Sequence, residues 1–244
     1  MESHKITWSL IIINLAVFLL IFSMPESMME WVFENFSFSS GNAMEPWRWI
    51  TSLFLHVNAS HIFFNMLGLY FFGKDLEENI ETKWYLTIYF FSGIMGNFVF
   101  MFTSSNPVVG ASGAMFGIMG AAMLLNPTKR THLYIFPLPV GIIAIMFVIF
   151  ESMVVYFKPE EFANIANISH VAGILTGACF AFFYNPKKSL EGVVVLLICL
   201  ALLMFLGPVF TLITGIGSVI LQLIDGVIGI FLYGLAKLLS FIWI

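Results

Sequence analysis

The stretch GASGAMFGIMGAAMLLNP, residues 110–127, decides how this chain folds. Near its start Ser112 lies between two glycines, and the apolar run that follows ends at Asn126-Pro127. A helix over residues 112–125 is only about 21 Å long, whereas the hydrocarbon core of a bilayer is about 30 Å thick. The basic residues just after Pro127 favour the membrane surface for that end. We therefore expect Ser112 to lie below the opposite surface.

The rest of the chain is as apolar as this stretch. Of its 244 residues 60% are hydrophobic and 10% charged, and the mean hydropathy is +0.97. Soluble domains carry about 25% charged residues, so the composition predicts an integral membrane protein. Each span needs about 20 apolar residues. We expect an all-α polytopic membrane protein with spans over residues 6–24, 50–72, 84–102, 112–125, 134–157, 162–184 and 190–211, and an eighth over 215–244.

Several other classes of protein do not fit the sequence. No basic cluster supports binding to nucleic acid. Cys179 and Cys199 each lie in an apolar span, so we expect unpaired thiols without a redox role. Asn14 interrupts the first span and no small-residue cleavage site follows it, so we expect this span to be retained rather than removed as a signal peptide.

The positions of lysine and arginine predict the orientation in the membrane. With a cytoplasmic N-terminus, seven of the ten fall in inner segments and two in outer loops, and Lys237 is left to the C-terminal end. The inner residues are Lys5, Lys74, Lys83, Lys129, Arg130, Lys187 and Lys188, and the outer ones are Arg48 and Lys158. The absence of organelle-targeting features favours the cell membrane of a prokaryote. Ser112 then lies towards the outer face, and residues 103–111 dip into the membrane to reach it, beside a buried cavity that holds water.

His170, at the head of the sixth span, is the predicted partner of Ser112. Small residues follow one face of each of the two spans, and such stripes let membrane helices approach closely. They are Gly113, Gly117 and Gly120 in the fourth span and Gly173 and Gly177 in the sixth. Docking the two stripes brings Ser112 against the His170 imidazole. No carboxylate is placed to orient that ring: Glu151 is expected at the membrane interface and Asp225 is too remote to assign. We expect a dyad whose histidine packs on Phe116.

Hydrogen-bond donors are expected around Ser112. Its own backbone N–H has no intrahelical acceptor and lies near an oxyanion formed on the serine. His61 and Asn65, at i and i+4 on the second span, either donate to the same oxyanion or hold helices together. His56 lies about 140° around the helix from His61, and we expect it to bond the first outer loop. No residues show the spacing of zinc ligands, so we expect neither metal nor cofactor.

The motifs together resemble the rhomboid family of intramembrane serine proteases. The match runs from about residue 47 to residue 177 in consistent order. It comprises Trp47-Arg48, His56, His61-x-x-x-Asn65, Gly110-Ala-Ser-Gly113 and His170-x-x-Gly173-x-x-x-Gly177. Each motif alone is weakly specific, whereas all five in the right spans are highly specific.

The resemblance implies a six-span catalytic core over residues 1–184 and an extension, residues 185–244, with one or two further helices. It implies Ser112 as nucleophile and His170 as general base and then acid. It also implies an oxyanion hole from His61, Asn65 and the N–H groups of Ser112 and Ala111. Further residues would support the site, namely Gly110, Gly113, Phe116 and His56, while Trp47-Arg48 would shape the first loop.

Two features depart from the family pattern. Phe116 stands where rhomboids often have tyrosine, so a hydroxyl is missing while the stacking surface remains. The extension carries a stripe of small and polar residues that suggests packing against protein or lying in the membrane interface. The stripe consists of Gln222, Asp225, Gly226, Gly229, Tyr233, Lys237 and Ser240.

We therefore expect hydrolysis of peptide bonds in or beside the transmembrane helices of substrate proteins. One alternative is a catalytically silent rhomboid-like protein that binds membrane helices, although that class loses the serine or the histidine. Another is a small transporter with intramembrane histidines, which leaves Ser112 without a purpose and lacks an inverted repeat.

Overall fold

The computed structural model describes residues 4–133, 136–157, 167–204, 220, 222–234 and 237. Most of these residues are helical. The helices are α1 (Lys5–Phe22), α2 (Glu26–Phe36), α3 (Arg48–Thr51), α4 (Ala59–Gly68), α5 (Lys74–Glu77), α6 (Thr82–Phe100), α7 (Ser112–Leu125), α8 (Val140–Phe157), α9 (Asn167–Tyr184), α10 (Pro186–Met204) and α11 (Gln222–Gly234). Single 3-10 turns occupy Ser40–Asn42 and Ser52–Phe54, and a π-helical turn, Leu69–Gly73, joins α4 to α5.

A short hairpin is the exception to the expected all-α fold. Strand β1 (Arg130–Leu133) pairs antiparallel with β2 (Phe136–Pro139), with Arg130 opposite Pro139. The predicted fifth span therefore begins at Val140 rather than at residue 134, which itself lies outside the described residues. Pro137 and Pro139 explain the difference, because proline has no N–H for a helix interior.

For the second predicted span, residues 50–72, the predicted start was wrong, because α4 begins at Ala59. Asn58 caps this helix: its side-chain oxygen accepts a hydrogen bond from the His61 N–H, 2.8 Å away. Residues 48–54 instead form short helical turns before it. An apolar run conceals such a boundary, whereas the cap residue marks it.

The other helices agree with the predicted spans to within a few residues, and Ser112–Leu125 is confirmed at both ends. Residues 162–166, 205–219 and most of 235–244 in the later predicted spans lie outside the described residues. Judged by length and composition, α1 is the one described helix that is long and apolar enough to cross a membrane. The apolar helix α7 is shorter.

Helix α7 lies at the centre of the packing. All of its residues except Ser112 and Met123 are buried, and it contacts α6, α8, α9 and α10. A helix that is apolar all round is expected inside a protein. The short helix therefore has protein on every side, with Ser112 at its exposed end.

Glycines set the distance between α7 and α9. A Cβ atom on Gly173 would clash with the carbonyl oxygen of Gly113, and one on Gly177 would clash with that of Gly117. The clashing atoms belong to the backbone, which has little freedom to move. The predicted docking of the two glycine stripes is confirmed, and it brings the first turns of the two helices together.

A polar cluster lies at the opposite end of α7. It consists of Asp75, Glu78, Asn126, Lys129 and Lys188, and we call it the Asp75 cluster. The Lys129 Nζ lies 2.9 Å from Asp75 Oδ1, Asn126 donates to Asp75 Oδ2 at 3.1 Å, and Lys188 donates to Asn126 at 2.9 Å. Burial raises the pKa of Asp75, and Lys129 and Asn126 offset this only in part. The cluster joins α5 and α10 to the end of α7.

Candidate active site

The backbone before Ser112 is held in an unusual conformation. Gly110 has a φ of 121°, which is strained for any residue with a side chain. Its N–H donates to the carbonyl oxygen of Ser52 at 2.8 Å, and two residues earlier Val108 pairs with Phe38 through two backbone hydrogen bonds. Residues 103–111 are thus attached to the first loop, and they turn sharply into α7 at Ser112.

Ser112 and His170 are in hydrogen-bond contact. The distance from Ser112 Oγ to His170 Nε2 is 2.8 Å, although the residues are 58 positions apart in sequence. His170 is 7% exposed and Ser112 is partly exposed. With its hydrogen on Nδ1, the neutral imidazole accepts the serine hydroxyl hydrogen at Nε2. The arrangement can therefore remove the hydroxyl proton of a partly exposed serine.

Phe116 packs on the face of the His170 ring. The ring centroids are 4.5 Å apart and the planes differ by 23°. Phe116 lies one helical turn after Ser112, so one helix supplies the serine and the surface under its partner. The predicted packing is confirmed, and it restricts rotation of the imidazole.

His61 and Asn65 face the Gly110 backbone from α4. A Cβ atom built on Gly110 would lie 2.5 Å from His61 Nε2 and 3.8 Å from Asn65 Nδ2. Asn65 is 2% exposed and donates one hydrogen to the His61 carbonyl oxygen at 2.9 Å. Its amide nitrogen carries two hydrogens, so one remains for another acceptor. Two side-chain donors thus lie beside the residues that precede Ser112.

His56 has a partner that the sequence did not predict. Its Nε2 accepts a hydrogen bond from the Ala111 N–H at 3.4 Å. It also interacts with the Phe54 backbone in the loop before α4, where a partner was expected. The bond at Nε2 engages the Ala111 N–H, which the resemblance implied as an oxyanion donor. The rings of His56 and His61 are 5.0 Å apart. His56 therefore lies behind His61 and holds the segment before Ser112.

Arg48 holds the first loop together. The side chain is 7% exposed, and its guanidinium donates to the carbonyl oxygens of Glu34 and Ser37 at the end of α2. It also forms an ion pair with Glu45 at 2.7 Å. Carbonyls at a helix end lack intrahelical donors, so the arginine satisfies them. The contacts are structural, in keeping with the expectation for Trp47-Arg48.

Sequence reasoning missed a hydrogen-bond chain that reaches the site from α6. Asn97 donates to Ser52 Oγ at 3.0 Å and to the Trp49 carbonyl at 3.3 Å, and Ser52 in turn accepts from Gly110. Asn97 is 4% exposed. A lone amide in an apolar span is costly unless it is hydrogen-bonded. The presence of Asn97 in such a span therefore indicated a buried polar partner.

The histidines near Ser112 do not form a metal-binding group. Across the part of the chain that the structure describes, His, Cys, Asp and Glu side chains do not gather in threes. The polar groups at the site are instead a hydroxyl, imidazoles and amides. Such groups suit proton transfer and the binding of an oxyanion.

Comparison with known sequences defines the class of protein. A family model described as "Rhomboid domain" matches residues 43–187. The chain belongs to the rhomboid family. The match contains Ser112, His170, His61 and Asn65, and it ends just inside α10.

Three curated relatives are between 26% and 32% identical to this chain over the aligned residues. The chain is 27% identical over 189 residues to "Rhomboid protease GlpG" of Pectobacterium atrosepticum, covering 77% of this chain and 66% of that protein. It is 26% identical over 183 residues to the protein of the same name in Yersinia pseudotuberculosis, covering 75% and 63%. It is 32% identical over 150 residues to "RHOMBOID-like protein 6, mitochondrial" of Arabidopsis thaliana, covering 60% and 47%. The chain thus spans between 47% and 66% of these curated relatives.

Proposed function

We propose that this chain is an intramembrane serine protease that hydrolyses peptide bonds in or next to the transmembrane helices of other proteins. The observation that carries the proposal is the 2.8 Å contact between Ser112 Oγ and His170 Nε2. Membership of a family with relatives named as proteases supports it.

Acylation begins at Ser112. His170 removes the hydroxyl proton at Nε2 while the serine oxygen bonds to the substrate carbonyl carbon. Negative charge moves to the carbonyl oxygen, where the Ser112 N–H and the side chains of His61 and Asn65 donate hydrogen bonds. The tetrahedral intermediate then collapses. The bond to the leaving nitrogen breaks, and His170 gives that nitrogen its proton.

Hydrolysis of the acyl-enzyme repeats these steps with water. His170 removes a proton from a water molecule, the hydroxide oxygen bonds to the acyl carbon, and Ser112 leaves with the proton. Stacking on Phe116 keeps the imidazole in one orientation through both halves. Cleavage requires an accessible carbonyl, so substrate helices that fray near the outer face are preferred.

We place α1, α4, α6, α7, α8 and α9 as the six membrane spans of the catalytic core, residues 1–184, with residues 185–244 as an extension. The N-terminus is cytoplasmic, and the protein is a multi-pass component of the cell membrane. The basic residues of the Asp75 cluster lie at the end of α7 opposite Ser112, which supports a site towards the outer face. The partners are substrate helices and lipid.

A serine-directed fluorophosphonate probe tests the proposal on detergent-solubilised protein. Wild type should label, with or without EDTA, and Ser112→Ala should not. Ser189→Ala is the matched control, because Ser189 is a fully buried serine in α10. Mass spectrometry of co-expressed single-span proteins then gives the cleavage site. A wild type that binds such helices but neither labels nor cuts them is the silent alternative.

A further inference from the structure

The extension contacts the core next to the site. Helix α11 lies beyond residues 43–187, which the family model covers. Its Asp225 accepts a hydrogen bond at Oδ1 from the Ser60 N–H, 3.1 Å away and 165 positions earlier in the chain. Ser60 is 2% exposed and belongs to the first turn of α4.

The bond completes the cap of α4. The first N–H groups of a helix have no intrahelical acceptor, and this end of the helix favours negative charge. Asn58 accepts the His61 N–H at 2.8 Å and the Ser60 hydroxyl at 3.0 Å. Asp225 accepts the Ser60 N–H. The cap therefore has two parts, one local and one supplied by the extension.

Apolar packing orients α11 so that Asp225 meets Ser60. Ile224, Ile228 and Leu232 are partly buried, and Leu232 packs against the main core. They lie at i, i+4 and i+8 on one helix face, and Asp225 lies at the edge of that face, seven residues before Leu232. Among the described residues, a Cβ atom on Gly226 or Gly229 would meet nothing within 4 Å. The stripe was expected to pack against protein or to lie in the membrane interface, and its Asp225 contacts Ser60 of the core.

We propose that Asp225 is a positioning residue for the oxyanion donors on α4. This rests on the proposed function. His61 directly follows Ser60, and Asn65 lies about one further turn along. Both donors face the Gly110 backbone at close range. Loss of the Asp225 cap frees the first turn of α4, moves these donors and weakens transition-state binding, with little effect on the binding of substrate.

Three variants of the full chain test the proposal on a transmembrane peptide substrate. Asp225→Ala should lower kcat roughly fivefold, the effect of losing a helix cap, with KM unchanged. Asp225→Asn keeps an acceptor oxygen and should recover most of the rate. Gly226→Ala, on the same helix, adds a Cβ that meets none of the described residues within 4 Å, and it should match wild type. A kcat for Asp225→Ala equal to that of Gly226→Ala overturns the proposal, as does an Asn variant no better than the Ala variant.

Hydrogen exchange gives a readout that needs no catalysis. The amides of residues 59–62 should exchange on the order of fivefold faster in Asp225→Ala than in wild type or Asp225→Asn. Unchanged exchange overturns the contact itself. If wild type does not cleave any peptide, the proposed function fails, while the exchange experiment still decides whether the extension caps α4.

Discussion

The ring of Phe116 lies nearly parallel to the ring of His170, with 4.5 Å between the centroids. In soluble serine proteases an aspartate bonds the catalytic histidine and fixes the orientation of its ring. Stacking restricts the same rotation from the face of the ring instead. Since Phe116 and Ser112 share α7, the stack also fixes the ring relative to the Ser112 hydroxyl.

Replacing Phe116 by leucine should lower kcat because the flat surface under His170 is lost. A stacked aromatic pair contributes about 0.5–1.5 kcal/mol, so the rate should fall roughly 2- to 10-fold. Phe116→Tyr keeps the ring and should stay close to wild type. Ile118→Leu is the control, because Ile118 is fully buried in the same helix. Equal kcat in the Leu and Tyr variants would show that stacking does not orient His170.

Replacing Asn65 by alanine should lower kcat by about 10²-fold, the usual effect of losing one oxyanion donor. Other donors remain, so activity should not vanish as it should in His170→Ala. Asn79→Ala is a matched control. Like Asn65, Asn79 donates to the carbonyl oxygen four residues earlier, here that of Asp75 at 2.6 Å, but it does not belong to the site. The measurement is kcat on one peptide substrate; a small effect on kcat with a large rise in KM would assign Asn65 to substrate binding.

The sequence predicted the parts of the fold that depend on local pattern. The bounds of α7 followed from Pro127 and from the glycine before an apolar run, and the glycine stripes predicted which helices touch. The start of α4 was missed because residues 50–58 are apolar enough to continue a span, and only Asn58 marks the boundary. The β1–β2 hairpin was missed because the apolar strand β2 runs directly into α8 and resembles the start of a span, while the polar strand β1 resembles a connecting loop.

The contacts of the site were predictable only where helical periodicity relates residues of one helix or of two docked stripes. Ser112, His170 and Phe116 are of this kind. The partner of His56 depends on how residues 103–111 turn, and Asp225 reaches Ser60 through the packing of a distant helix. No periodicity links these pairs, so their contacts required the structure.

Replacing Gly173 by alanine should destabilise the protein and reduce activity together. The added Cβ would clash with the Gly113 carbonyl oxygen, directly after Ser112. Overpacking of this kind costs about 1–3 kcal/mol, and it should also separate His170 from Ser112. Gly229→Ala, whose Cβ would meet nothing within 4 Å in the part of the chain that the structure describes, should preserve both Tm and kcat. A Gly173→Ala protein with the wild-type Tm would contradict the close packing of α7 and α9.

Replacing Lys129 by methionine should destabilise the protein in a pH-dependent manner. The Asp75 side chain is fully buried, 2.9 Å from the Lys129 Nζ, which is 35% exposed. Burial already raises the pKa of Asp75 above its ordinary value of 3.8, and without Lys129 the pKa should rise further. The folded protein then binds this proton more tightly than the unfolded chain, so the free energy of unfolding falls as pH rises through 3.8 and through the folded pKa.

The Tm difference between wild type and Lys129→Met should therefore be small near about pH 3.5, where Asp75 is protonated, and largest near neutral pH. At neutral pH we expect the free energy of unfolding to be lower by roughly 1–3 kcal/mol in Lys129→Met. This is less than for a fully buried pair, because Lys129 is partly solvated. Lys83→Met is the control, since Lys83 pairs with Glu81 at 2.8 Å on the exposed surface. It should change Tm little at either pH. A Lys129→Met offset that stays constant across this range would mean that lost packing of the lysine stem, and not the Asp75 charge, determines the stability of this end of α7.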